Sequence, residues 1–233
     1  MIDWSKPSVE HFRHIRSLPM THLPSGLDYN IKRDGNTLYI AFQETGGIKE
    51  WNDNLNYFPE VFDVYTKVKA HRGIAKQYLS IRELILTYLY SGSIKQVYVA
   101  GYSLGGALTI TAVQDIGYHI DRDKLNVHVA GIAYSPPRMF CPNTIVKKAV
   151  KNRLLLVKTH WDPVVHSPCK IMILNWTLQL KPLRCIFVKP TQWISFWADY
   201  GKAKWIGRVW RVLPLQHWPD QIERALKEYE IKK

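Results

Sequence analysis

The chain has 233 residues, 46% of them apolar, and a formal charge of +13 at pH 7. That length suits one α/β domain with a sizeable core, and that apolar share excludes intrinsic disorder. The apolar runs break within about ten residues, short of the roughly 20 that span a bilayer, and Cys141, Cys169 and Cys185 supply neither a disulfide framework nor zinc-ligand spacing.

In chain order, Met1-Ile2-Asp3-Trp4-Ser5-Lys6-Pro7 has no basic start before an apolar stretch. No secretory signal is read there, and a cytoplasmic location is expected. The turn signal Asp34-Gly35-Asn36 introduces a strand over Thr37–Phe42. Ile74, Tyr78, Ile81, Leu84/Ile85 and Tyr88/Leu89 recur at helical spacing, so a helix is predicted from about residue 74 to 90, ending at Ser91-Gly92. A strand over 95–100 precedes a helix from Leu104 to about Asp115. Strands follow over 127–134 and 154–158, with a helix around 144–151 between them, and a last helix covers 221–231. The short alternating runs after Pro168 read as hairpins or an irregular excursion over about 168–213. Strands that alternate with helices predict an α/β fold: a mostly parallel central sheet with helices on both faces. No repeat or linker divides the chain, so residues 1–233 are read as a single domain.

The segment Val99-Ala100-Gly101-Tyr102-Ser103-Leu104-Gly105-Gly106-Ala107-Leu108 is the most informative. It sets Gly-x-Ser-x-Gly between an apolar strand and a helix former, which is the nucleophile elbow of the α/β-hydrolase fold. Gly101 and Gly105 lack a β-carbon, so the two arms of the turn can approach closely. Ser103 projects at the apex, and the Leu104 N–H becomes a donor for a developing oxyanion.

A serine hydroxyl needs a histidine base and a carboxylate that fixes the imidazole's tautomer. In this fold the order is serine, acid, histidine. Beyond Ser103 the acid candidates are Asp115, Asp121, Asp123, Asp162 and Asp199. The first three lie in the elbow helix or its trailing turn, and only Asp162 directly follows a predicted strand. Of the later histidines, His217 sits in a loop ahead of the final helix, where the base belongs. His166 and His160 are alternatives, each close in sequence to the proposed acid. No histidine pair has a third ligand at zinc spacing, so neither a metal nor another cofactor is expected.

The charge is uneven. Residues 1–137 carry a net +1, whereas residues 138–211 hold 14 basic and two acidic side chains, a net +12. Six of the nine tryptophans fall in that same stretch. Lys and Arg near an anionic surface, with tryptophan at headgroup depth, favour peripheral membrane contact. Interleaved aromatics and cations can also follow a nucleic-acid strand, the less favoured partner.

Together these motifs resemble the fungal-type triacylglycerol lipases, the class 3 lipase family. Gly-Tyr-Ser-Leu-Gly-Gly-Ala-Leu around Ser103 is similar to the family's Gly-His-Ser-Leu-Gly-Gly-Ala. Phe42-Gln43-Glu44-Thr45-Gly46-Gly47 resembles its Phe-Arg-Gly-Ser/Thr oxyanion strand, and the Trp51 region its tryptophan-bearing lid. The resemblance implies that Thr45 is the second oxyanion donor, opposite Leu104, and that a lid runs over about 47–65. Lys69-Ala70-His71-Arg72-Gly73 resembles the Val-His-x-Gly entry to the next helix, and Ala133-Tyr134-Ser135-Pro136-Pro137-Arg138 the Phe-Gly-x-Pro-Arg segment. Thr159-His160-Trp161-Asp162-Pro163-Val164-Val165 resembles the Asn-Asp-Ile-Val-Pro loop that carries the aspartate. Gln43-Glu44 and Tyr102 depart from the pattern, and residues 168–213 have no counterpart in it.

The expected activity is a serine carboxylic-ester hydrolase acting on acyl lipids through Ser103, His217 and Asp162. The alternatives are a phospholipase A-type hydrolase on anionic membranes, a hydrolase of small soluble esters or acyl-thioesters, and an inactive hydrolase fold that binds membrane or nucleic acid.

Overall fold

Central strands that are apolar on both faces demand cover on both, and helices supply it. The computed structural model describes residues 2–43, 59–63, 67–159, 162, 164–166, 171–175, 192–196, 202–206 and 219–231. Helix α1 (Val9–Ser17) leads to strands β1 (Thr21–His22), β2 (Asp28–Asp34), β3 (Thr37–Phe42), β4 (Pro59–Asp63) and β5 (Val68–His71). Next come helix α2 (Arg72–Tyr90), strand β6 (Gln96–Tyr102), helix α3 (Leu104–Asp123), strand β7 (His128–Tyr134), helix α4 (Thr144–Val150) and strand β8 (Leu154–Thr159). A 3-10 turn (Val164–His166), strands β9 (Ile171–Asn175), β10 (Gln192–Phe196) and β11 (Lys202–Ile206), and helix α5 (Pro219–Ile231) complete the described elements.

Seven strands form one sheet in the order β1-β2-β3-β6-β7-β8-β11. From β3 onward every pairing is parallel, with Ile40 opposite Val99 and Ile132 opposite Leu155; β1 and β2 add antiparallel at one edge. Successive side chains alternate between the two faces. Leu38, Ile40, Phe42, Val97, Val99, Val129, Leu154 and Leu156 pack in one core with Tyr78, Ile81 and Ile85 of α2 and the buried side of α3. Ala41, Ala100, Tyr102, Ile132, Tyr134 and Val157 form a second core with Phe12 and Ile15 of α1 and Ile222, Ala225 and Leu226 of α5. Each fully buried large apolar side chain contributes about 1.5–3 kcal/mol. The expected α/β architecture, a mostly parallel sheet flanked by helices, is the observed one.

Helix α1 begins at Ser8, whose hydroxyl accepts the His11 N–H at 2.9 Å. Its free Val9 N–H donates to Glu230 Oε1 of α5 at 2.9 Å, and Arg13 Nε donates to Glu223 Oε2 at 2.8 Å. Between α2 and α3, the Asp115 carboxylate is 2% exposed and accepts Tyr78 Oη at 2.9 Å and Arg82 Nε at 2.8 Å. Among the described residues no helix is long and apolar enough to cross a membrane.

Several local expectations change. Helix α3 does not end near Asp115 but runs to Asp123. Arg153 grips Asp121 through both guanidinium nitrogens, at 2.6 and 3.0 Å, and Tyr90 and Arg122 hold Asp123, so these carboxylates are anchored on a helix. The helix stops where Lys124 turns left-handed at φ 52°. Within the stretch expected as a lid, residues 59–63 form a strand paired antiparallel with β5, and Phe62 there packs on Tyr78 and Phe140. Residues 47–58 and 64–65 lie outside the described residues. Within the expected excursion, β9 and β10 do pair as antiparallel strands, whereas Lys202–Ile206 joins the main sheet beside β8. Parallel pairing with a distant strand leaves no local signal.

Candidate active site

The apex of the β6–α3 turn has the backbone a nucleophile elbow requires. Ser103 sits at φ 56°, ψ −119°, a left-handed region that side chains avoid and that costs on the order of 1–3 kcal/mol. Two glycines make the turn sterically feasible. A β-carbon on Gly101 would overlap the Gly105 carbonyl, and one on Gly105 would overlap the Phe42 carbonyl of β3. One on Gly106 would stand 3.0 Å from the Tyr134 carbonyl oxygen. The elbow is therefore wedged between β3 and β7 by backbone-to-backbone contact, and the Ser103 N–H is fastened to the Tyr134 carbonyl at 2.9 Å.

The Ser103 hydroxyl does not cap α3, although its residue occupies the N-cap position. The helix's hydrogen-bond ladder starts with Ala107 N–H to the Ser103 carbonyl at 3.1 Å. The first N–H groups of such a helix have no partner within it, and they collect at the apex beside Leu104. Ser103 is partly exposed, while Leu104 is buried.

Asp162 lies just past the carboxyl end of β8, on the same sheet edge as Ser103, with β7 between them. It is fully buried. Its Oδ1 accepts the Val164 N–H at 2.8 Å, which tightens the turn into Val164–His166, and its own N–H approaches the Thr159 carbonyl at 3.5 Å. That backbone donor anchors one of the two carboxylate oxygens in a solvent-free setting. With neighbouring strands about 4.8 Å apart, β6 and β8 stand roughly 10 Å apart.

The structure thus brings together Ser103, Leu104, Gly101 and Gly105 at the elbow and sets Asp162 two strands along. Thr45, Trp51 and His217 lie outside the described residues, as does His160. The other acids are accounted for elsewhere: Asp115 in the α2–α3 ion pair, Asp121 with Arg153, and Asp123 with Arg122 and Tyr90. Hydrogen bonds from Arg122 and Tyr90 hold the Asp123 carboxyl far below the usual carboxylate range. Asp199 lies outside the described residues.

Sequence reasoning did not single out two features of this edge. Lys158 on β8 is 2% exposed, a charged residue at the end of the apolar run Leu154-Leu155-Leu156-Val157. Ser135, at the end of β7, has φ 43° and is fully buried. Its signal in the sequence is its place opposite the glycine of the Phe-Gly-x-Pro-Arg pattern.

A family model for class 3 lipases matches residues 39–172. A curated lipase from Rhizomucor miehei is 31% identical over 86 residues, a span that is 34% of this chain and 23% of that protein. Among solved structures, a fungal lipase in complex with an inhibitor superposes with a TM-score of 0.53 at 21% identity, covering 68% of this chain and 64% of that one. A triacylglycerol lipase described as having a serine protease triad for its catalytic centre superposes with a TM-score of 0.51 at 23% identity, covering 65% of this chain and 60% of that one. The alignments therefore span less than two thirds of the relatives' own length.

Proposed function

As the chain belongs to the class 3 lipase family, we propose that it is a serine carboxylic-ester hydrolase that cleaves acyl esters of lipids. One observation carries this reading: Ser103 is held in a strained left-handed backbone at the mouth of α3, by glycines whose substitution the neighbouring carbonyls forbid. Strain of that kind clusters at active sites, where the surrounding structure holds a reactive side chain in place.

In the proposed cycle His217 Nε2 takes the Ser103 proton as Oγ attacks the ester carbonyl carbon. The tetrahedral oxyanion is met by the Leu104 N–H and by Thr45. His217, now imidazolium against the Asp162 carboxylate, protonates the leaving alkoxide, and the C–O bond breaks to leave an acyl-Ser103. Water, deprotonated by His217, then attacks the acyl carbon and releases the carboxylic acid and the free serine. The buried Asp162 supports the cycle because a low-dielectric setting strengthens its pull on the imidazolium.

The test is labelling with a fluorophosphonate probe, followed by hydrolysis of soluble esters, emulsified acylglycerols and phospholipid vesicles. A single label on Ser103, lost in Ser103→Ala, is expected, with turnover highest on the emulsified or vesicular substrates. No label, or a label elsewhere, sinks the reading.

We add a peripheral contact with an anionic membrane through residues 138–211. The net +12 of that stretch supports it, as do Lys147, Lys148 and Lys151, which stand exposed along α4 and its end. Binding to anionic vesicles that weakens with salt is the expected behaviour. Equal affinity for neutral vesicles would remove the electrostatic contact.

A further inference from the structure

The carboxyl end of β7 stands between the two halves of the proposed site, and Ser135 is the residue there. Its backbone ties both neighbours together. One step earlier, the Tyr134 carbonyl accepts the Ser103 N–H at 2.9 Å, and the Ser135 N–H donates to the Val157 carbonyl of β8 at 2.8 Å. The next residue, Pro136, has no N–H to donate. The first turn of α3 rests on the same spot, since a Gly106 β-carbon would meet Tyr134 and Pro136 within 3.0–3.3 Å.

Glycine adopts φ 43° without steric cost, yet the chain places a serine there. Its hydroxyl is fully buried and has no hydrogen-bond partner among the described residues. Two separate penalties, a left-handed β-carbon and a desolvated hydroxyl, meet in one side chain. Any imidazole that bridges Ser103 on β6 and Asp162 beyond β8 passes over the end of β7. Ser135 therefore stands at the end of the strand between the two residues that such an imidazole would join.

We propose that Ser135 is a positioning residue for the acid of the triad: its hydroxyl donates to the Asp162 carboxylate in the working enzyme and fixes the carboxylate's direction toward His217. This rests on the hydrolase reading above. The donor takes up part of the carboxylate's charge and leaves it one preferred orientation. That hydrogen bond would give a use to the left-handed backbone and to a buried hydroxyl that has no partner among the described residues.

The experiment compares Ser135→Gly and Ser135→Ala with wild type for melting temperature, fluorophosphonate labelling rate and the pH profile of kcat/KM on a soluble ester. Ser135→Gly removes both penalties, so its Tm is expected to rise by about 2–4 °C. Its labelling rate is expected to fall roughly ten- to a hundredfold, the worth of a hydrogen bond to a charged group. Ser135→Ala keeps the β-carbon and should show the same rate loss with a smaller rise in Tm. In both, the acid limb moves to higher pH, because a carboxylate without the donor stabilises the imidazolium more strongly. A merely structural serine cannot give a more stable, slower enzyme with a displaced acid limb. Unchanged rates and acid limbs in both variants overturn the proposal, and so does a lower Tm in both, which would show that the hydroxyl already serves the fold. A wild type that takes no label fails the hydrolase reading and this inference with it, whereas a labelled wild type with unaltered variants fails this inference alone.

Discussion

The Phe42 carbonyl oxygen occupies the space that a β-carbon on Gly105 would need. Because both partners are backbone, neither can swing aside. Gly105→Ala should therefore push the elbow off β3, with a stability loss of about 1–3 kcal/mol from overpacking and a fall in fluorophosphonate labelling of at least about a hundredfold as Ser103 is misplaced. The same change at Gly92, where a β-carbon meets nothing within 4 Å, incurs only the cost of its left-handed φ of 72°. That variant should label at the wild-type rate. Equal labelling of the two variants would show that the close approach at Gly105 is unimportant.

Ser103→Gly and Ser103→Ala separate strain from chemistry. Both remove the hydroxyl, and loss of a triad member costs on the order of 10⁴-fold or more in kcat. Only glycine relieves the backbone at φ 56°. The glycine variant should therefore unfold at higher denaturant than wild type by about 1–3 kcal/mol, and the alanine variant should stay within about 0.5 kcal/mol of it. Denaturant midpoints that do not differ would mean that the turn stores no strain.

Asp162→Asn should leave the fold intact, since an amide oxygen can still accept the Val164 N–H that Oδ1 accepts now. It should still cost about 10⁴-fold in kcat, the loss recorded for that substitution in a serine protease triad. Asp199→Asn should change kcat by less than twofold. If Asp199→Asn is the more damaging of the two, the acid has been misassigned.

Stability should fall with acid through His11. This imidazole is fully buried, and its Nδ1 lies 2.9 Å from Tyr134 Oη. Burial lowers its pKa from 6.5 to about 4, aided by nearby His14 and opposed by Asp3. A histidine depressed by folding contributes stability that is complete above pH 6.5 and is lost as pH falls toward 4. That window is worth about 3 kcal/mol at 1.36 kcal/mol per unit. His11→Phe should be less stable at pH 7, because the buried Tyr134 hydroxyl loses its hydrogen-bond partner on the ring, but flatter between pH 6.5 and 4. Urea midpoints at pH 7 and 4.5 check this, and an equal acid loss in the variant would place the titration elsewhere.

What the sequence disclosed was local. The strand Thr37–Phe42 and the junction at Ser103 were legible because alternating burial and glycine spacing are written in consecutive residues. Strand β2 was not, since Lys32, Arg33 and Asp34 are exposed and it pairs at the antiparallel margin. Helix α1 carries Val9, Phe12 and Ile15 behind a Ser8 cap, a pattern open to reading but short, at 9 residues. Lys202–Ile206 offered nothing, because what makes it a strand is Leu155–Thr159, far earlier in the chain. At the site, Asp162 was reached by elimination among the acids, whereas Ser135 shows its peculiarity in a backbone angle and a buried hydroxyl, neither of which is written in neighbouring residues.

The bond from the Val9 N–H to Glu230 joins residues 221 positions apart. On a ribosome α1 is made long before α5, so the aromatic side of the sheet around Phe12, Tyr102 and Tyr134 waits without that cover until Ile222 and Leu226 emerge. Until α5 is made, the nascent chain keeps that surface open to holdase chaperones or to its neighbours, and the arrival of Ile222 and Leu226 closes it.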